Sequence, residues 1–554
     1  MSKYFLLKKR IAAALVAVAM LAALPLSGCS NDDSKEESKT STSETSTDAG
    51  KTSGTESKAS SDENSGAESK ASSEVKENSQ NSGSQNSSET SPGDKKTEKD
   101  VVVKSKNYSV TFPVMQYLFN YMFQNFCNNY GTSFIDTSKD IKSQYYNEEE
   151  KISWYDYFLT NTKNYLQQIM VFAEGGKEQN ITLSEADEES ISSGFDQLES
   201  YAEQLGMTAE EYIKKEYGDT VTKDDIEQVQ RMTLLAQQYN NFMYDSFLYK
   251  NDDYEAEYNK NKSSYSVADY LVYSFTYNSD TSQEEKAELK KQADELAKMK
   301  TKEEFQNFVT KYLKDNPSRV TVSSSETSLT EAAFNSAIDA TVQATETVNG
   351  EYNDSNESYK WVFSDERKAG DSIVTDENRA YNAILVTNPI HRDDRVTRNV
   401  RHILIMVGDN EKADQYKETA EAILDEWRDG KADEESFAKL ARDYTEDTGS
   451  KNTGGLYKGV MQGQMVAEFN DWLFDEKRKT GDTGIVRTTY GYHIMYYPGV
   501  EMPKWQFDAD AAMRQNDMSE TYKALAEKYT IEFDDDAIKN MTLKMPETQT
   551  SDSE

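Results

Sequence analysis

The feature that most constrains this chain is an internal repeat. "WVFSDERKAGDS" at 361–372 and "WLFDEKRKTGDT" at 472–483 share Trp, Phe, Arg, Lys, Gly and Asp, each pair 111 residues apart. Upstream, "VADYLVYSF" at 267–275 parallels "NVRHILIMV" at 399–407, and "KTKEEFQNFVTKYL" parallels "ADEESFAKLARDY". Each copy has to bury its own apolar faces, so each is read as a separate domain, and 554 residues leave room for more. The alignment sets Asn382 under His493 and Tyr270 under His402, so histidine stands at these points in the second copy only.

The second copy reads as strand, helix, helix, helix, strand, strand. "RNVRHILIM" alternates, placing Val400, His402, Leu404 and Met406 on one face, and "YHIMYY" does the same for His493 and Met495. Neighbouring strands would then turn both histidines toward one site. Glu411–Arg428, Glu434–Tyr444 and "MVAEFNDWLFDEK" read as the three helices between them.

Together "RHILI", "FAKLARDYTED", "GG" at 454–455, "GQMVAEF" and "TTYGYHIM" resemble a parvulin-type peptidyl-prolyl cis/trans isomerase over about 397–500. The resemblance implies catalytic roles for His402, Asp447, His493 and Thr488. It also implies a proline-binding surface of Met465, Phe469, Leu404 and Tyr490, and no cofactor. Two histidines and an aspartate could imitate a metal triad, but the spacing 402, 447, 493 is also the family's metal-free arrangement, so no metal is expected. The sequence departs from the family at "GGLYKG", where an acidic residue, Leu and Gly are usual; this bears on the shape of the loop. Phosphate-directed parvulins carry a basic cluster after the first strand, whereas "MVGDNEKADQYKE" is acidic.

The N-terminus reads as an address. Lys3, Lys8, Lys9 and Arg10 precede an apolar Ile11–Leu24 too short to span a bilayer comfortably, and "LSGC" at 26–29 resembles a bacterial lipobox. That resemblance implies a signal peptide over 1–28 and a lipid anchor on Cys29. Residues 29–100 are Ser, Glu, Lys and Asn without one aromatic, and such a composition reads as a disordered tether.

Residues 101–262 read as helices with large aromatic faces. Phe158, Tyr165, Leu166, Ile169, Phe172 and Ala173 share one face, Thr208 with Glu211 forms a capping box before a terminal Gly218, and a long helix runs from Asp224 to about Leu248. Those faces either fill a core or line a groove for apolar client segments, and the sequence does not separate the two.

Signal, lipobox cysteine, helical region, parvulin copies and final segment resemble the PrsA-type extracytoplasmic foldase lipoproteins of Gram-positive bacteria and the SurA chaperones. The expected fold is an α+β multidomain chain. A helical chaperone domain at 101–262 would be completed by 502–541, with "YTIEF" supplying a strand. Two parvulin-like domains follow, each an antiparallel sheet with surrounding helices: a degenerate copy at 263–392 and an intact one at 393–500. A disordered tail is expected at 542–554.

The implied function is membrane-anchored isomerisation of Xaa-Pro bonds in unfolded exported proteins, on the outer face of the cell membrane. A non-catalytic holdase is the alternative, and a solute receptor lacks the strand-helix alternation of two doubly wound lobes. A net charge of -37 argues against nucleic acid. Oligomeric state stays open, a dimer included.

Overall fold

The computed structural model describes residues 101–131, 133–136, 138–321, 330–408 and 412–544. The expected signal peptide, Cys29, the tether and positions 545–554 of the expected tail lie outside the described residues.

Strands β1 (Val101–Lys104) and β2 (Ser109–Thr111) lead into α1 (Phe112–Tyr130), whose first turn carries Pro113, where a fixed φ and a missing N–H cost nothing. A hairpin of β3 (Tyr145–Asn147) and β4 (Ile152–Ser153) precedes α2 (Trp154–Glu178), with Ser153 accepting from the Asp156 N–H as cap. Next come α3 (Glu185–Gln204), α4 (Ala209–Tyr217), α5 (Lys223–Ser246) and α6 (Asn251–Lys260). Capping boxes start α3, α4 and α5 at Ser184, Thr208 and Thr222. Phe158, Leu166, Ile169, Phe172 and Ala173 are buried. Helices α2 and α5 approach closely because Gly175 has no side chain: a Cβ there would lie 2.7 Å from the Tyr239 ring.

The first sheet domain is β5 (Ser266–Thr276), α7 (Gln283–Leu296), α8 (Lys302–Asp315), α9 (Glu331–Gln343), β6 (Glu346–Glu351), α10 (Glu357–Val362), β7 (Ser372–Glu377) and β8 (Ala380–Arg392). The second is β9 (Val396–Met406), α11 (Ala413–Asp429), α12 (Glu434–Tyr444), β10 (Leu456–Met461), α13 (Ala467–Leu473), β11 (Thr483–Arg487) and β12 (Gly491–Tyr496), with β13 (Glu501–Pro503) beside β9. Their antiparallel orders correspond strand for strand, β6-β5-β8-β7 and β10-β9-β12-β11. In the second sheet Ile403, Ile405 and Ile494 pack under α11 and α12, while Val400 and Met495 face α13 with Phe469 and Leu473.

The register corrects one alignment. Asn382 pairs with Ser274 as His493 pairs with Leu404, and Ile384 pairs with Val272 as Met495 pairs with His402. Val272, and not Tyr270, therefore stands in the place of His402. A slip of two residues keeps every side chain on its face, so alternation in the sequence cannot detect it. The third helix of the second domain is also shorter than the expected 465–477, ending at Leu473. There the Arg478 guanidinium donates to the Trp472 carbonyl at 2.8 and 3.0 Å, and the Asp475 carboxylate accepts from the Lys477 N–H, folding the chain into a turn.

The chain then returns to the helices. Helix α14 (Lys504–Lys528) packs on α2, α5 and α6, and β14 (Glu532–Phe533) pairs with β1. A short α15 (Asp535–Ile538) follows. Residues 542–544, expected in a disordered tail, instead lie along α1: the Thr542 N–H donates to Gln116 at 2.9 Å and the Lys544 N–H to Asn120 at 2.7 Å. No helix among the described residues is long and apolar enough to cross a membrane.

Candidate active site

Strands β9 and β12 set His402 and His493 on the α13 face of the sheet, and the chain leaving α12 brings Asp447 to them. That segment is pinned by β9, which has run past the end of its pairing with β10. The Leu404 N–H donates to Thr445 Oγ1 at 3.0 Å, and the Glu446 N–H donates to the Leu404 carbonyl at 2.9 Å. On the other side the His402 N–H donates to the Gly455 carbonyl at 2.8 Å. Gly455 has φ +73°, and a Cβ on it would lie 2.1 Å from the His402 carbonyl oxygen, which is why a glycine stands there.

Four side chains form a line. Thr488 Oγ1 lies 2.8 Å from His493 Nε2, His493 Nδ1 lies 3.1 Å from His402 Nδ1, and His402 Nε2 lies 2.9 Å from Asp447 Oδ2. An ionised carboxylate only accepts, so with both imidazoles neutral the direction of every bond follows. His402 donates from Nε2 to Asp447 and accepts at Nδ1 from His493, which accepts at Nε2 from the Thr488 hydroxyl. Ser450 and Tyr457 also donate to Asp447 Oδ2, at 2.5 and 2.9 Å. His402, His493 and Thr488 are buried, and Phe469 stands edge-on to both imidazoles with centroids 5.5 Å away.

The hydrogen bond from His402 holds the Asp447 carboxyl well below the usual range, with Ser450 and Tyr457 helping against the opposing effect of burial. Burial, followed by the bond to Asp447, pushes the Tyr457 phenol up to about 12. Burial first, and His402 second, lowers His493 from 6.5 to about 4, with Asp447 opposing.

His493 is thus neutral at physiological pH and can accept from Thr488. Its ring is expected to titrate with a midpoint near 4, read from its Cε1–H chemical shift, and a midpoint near 6.5 would contradict the network. The same shift acts on stability. Between about 6.5 and about 4 the unfolded chain binds a proton that the folded chain refuses, so the fold loses stability as pH falls through that window.

The site as read from the sequence is brought together in His402, Asp447, His493, Thr488 and Phe469. Met465 packs against the cluster holding Phe469, and Leu404 is buried on the same sheet face. Tyr490 joins through its backbone, donating to Thr488 Oγ1 at 3.2 Å, while the residue is 60% exposed. Sequence reasoning missed Thr445, Ser450 and Tyr457. Tyr457 lies inside "GGLYKG", so this departure adds a donor to Asp447 besides altering a loop.

In the first sheet domain the same points are Val272, Asn382, Ser358 for Phe469 and Glu377 for Thr488. Ser274 donates to Asn382 at 2.7 Å, and Ser358 donates to Glu377 at 3.0 Å. No imidazole stands at these points, while Tyr270, Val362, Phe363 and Ile384 form an apolar cluster against which Val272 and Tyr359 pack.

Residues 402–498 match the family model described as Rotamase, PPIC-type PPIASE domain. Residues 402–498 are a PPIC-type parvulin domain. Foldase protein PrsA 3 of Bacillus cereus is 34% identical over 118 residues, which are 21% of this chain and 36% of that protein. Chaperone SurA of Chromohalobacter salexigens is 40% identical over 105 residues, 18% of this chain and 22% of that protein. The chain therefore spans about a third or less of the length of these relatives. The crystal structure of PrsA from Bacillus subtilis aligns over 59% of this chain and 91% of its own at 17% identity, with a TM-score of 0.18.

Proposed function

We propose that the protein is an extracytoplasmic foldase, anchored to the membrane through Cys29, whose 393–500 domain isomerises Xaa-Pro bonds while residues 101–262 with 502–541 hold unfolded exported chains. The observation that carries this reading is the buried, one-directional line from Thr488 to Asp447 lying against Phe469.

Amide resonance sets a barrier of about 18–20 kcal/mol, and each ~1.4 kcal/mol removed gives tenfold in rate. Resonance also makes the planar amide more charge-separated than the twisted one. A dry surface that seats the proline ring on Phe469, Met465 and Leu404 therefore favours the twisted form, with no nucleophile needed. The histidines do no covalent work in this account. They keep the seat rigid and neutral, and the exposed Tyr490 meets the residues flanking proline.

The first sheet domain, with Val272 and Asn382 in place of imidazoles, acts as a spacer. The acidic stretch after β9 supports unphosphorylated substrates. The test is acceleration of cis-to-trans relaxation in an unphosphorylated Xaa-Pro peptide by this protein; no acceleration across several residues before proline would leave only a holding role.

A further inference from the structure

The helical part carries an exposed aromatic patch that the site does not use. Phe126 lies 5.1 Å from the Tyr130 ring and 6.5 Å from the Phe134 ring, and reaches Tyr157 at 6.4 Å, on which Tyr146 stacks at 4.2 Å. The patch is contiguous, yet Tyr130, Phe134 and Tyr146 are 66%, 60% and 50% exposed. Contiguous exposed rings on a folded surface mark a place where something docks.

The charges beside the rings say what fits. The turn joining β3 to β4, one residue after Tyr146, holds Glu148, Glu149 and Glu150 followed by Lys151 and so is net acidic, bent by Asn147 accepting from the Glu149 and Glu150 N–H groups at 3.0 and 3.1 Å. All three glutamates are exposed and make no ion pair among the described residues. An anionic bilayer would be repelled by them. A two-fold contact with a second copy would set one triad against the other, since the same patch faces itself. A cation is complementary to both halves, to the carboxylates by charge and to the ring faces through their quadrupole. The protein already makes one such contact nearby, with the Lys142 ammonium 4.3 Å over the Tyr155 ring.

We propose that this patch, Phe126, Tyr130, Phe134, Tyr146 and Tyr157 with the Glu148–Glu150 turn, is a docking surface for lysine- or arginine-bearing extended segments of unfolded polypeptide. The cationic heads meet the glutamates and ring faces, while their aliphatic stems and the client's apolar side chains cover the rings. The chain's net charge of -37 adds long-range attraction for such segments. The inference rests on the client-holding part of the proposed function. A chain that holds clients elsewhere would lose the inference and keep the function.

The test uses the full chain and two fluorescent dodecapeptides repeating lysine, phenylalanine, alanine and glycine, or the same with glutamate for lysine. The lysine peptide is expected to bind, and more weakly as salt rises. Glu148→Gln, Glu149→Gln and Glu150→Gln together should weaken it on the order of tenfold, and Tyr130→Ser, Phe134→Ser and Tyr146→Ser together should abolish binding. The glutamine variant changes only exposed turn residues, so it remains informative if the ring variant does not fold. Equal binding of both peptides, or no loss in the glutamine variant, would overturn the proposal. So would ring-dependent binding to phosphatidylserine vesicles or ring-dependent dimers in sedimentation.

Discussion

Asp447→Ala is expected to cost about 3 kcal/mol of stability and on the order of a hundredfold in isomerisation. The carboxylate accepts from His402 Nε2–H, the Ser450 hydroxyl and the Tyr457 phenol, and Ser450 Oγ lies 3.2 Å from the same His402 nitrogen. Its loss leaves three donors converging on a partly buried gap, and each unsatisfied donor costs about 1–3 kcal/mol, reduced where water enters. With the carboxylate gone, only Ser450 Oγ at 3.2 Å faces Nε2, a hydroxyl that can donate as well as accept, so the His402 tautomer and the order of protons through His493 to Thr488 are no longer fixed. Urea unfolding and peptide relaxation on the same variant measure the two effects. Tyr457→Phe removes one donor and keeps the ring, so it should leave most of the stability and shift the pH profile.

The second large effect is expected at Gly455. An alanine there pays twice: φ is +73°, and its Cβ would lie 2.1 Å from the His402 carbonyl, a backbone atom that cannot turn aside. The left-handed backbone alone costs about 1–2 kcal/mol. The clash raises the total above about 3 kcal/mol, because relief requires breaking the bond from the His402 N–H to the Gly455 carbonyl that holds the strand. Gly463 provides the control: φ is +87° and nothing lies within 4 Å of an added Cβ, so Gly463→Ala should lose only the conformational part. Thermal melting of the two variants should separate them by several degrees. Equal losses would show that the close approach at Gly455 is not what selects glycine there.

These two sites also show what could be read from the sequence and what could not. The alternation in "RNVRHILIM" and "YHIMYY" fixes which face each histidine shares, since a strand has only two faces, and the structure pairs those strands as neighbours. The face is legible, but the register is not. Tyr270 and Val272 lie on one face, and only the pairing of Val272 with Ile384 decides which of them stands where His402 does. Asp447 is legible through the resemblance carried by "FAKLARDYTED", whereas Thr445, in the same motif, and Ser450 and Tyr457 beyond it act through contacts that require the loop after α12 to be folded against β9 and β10. Tyr457 shows how a departure from a family pattern can carry chemistry. The last described residues, 542–544, carry no periodic pattern that the sequence could assign to an element; their order comes from Gln116 and Asn120, more than four hundred positions away in the chain.

The most direct measurement is cis-to-trans relaxation of an unphosphorylated Xaa-Pro peptide, with the intact protein beside a His402→Ala, His493→Ala double variant. The account predicts acceleration by the intact protein that the double variant loses, with the first sheet domain contributing nothing to the rate. Acceleration that survives loss of both imidazoles, or none by the intact protein, would contradict it.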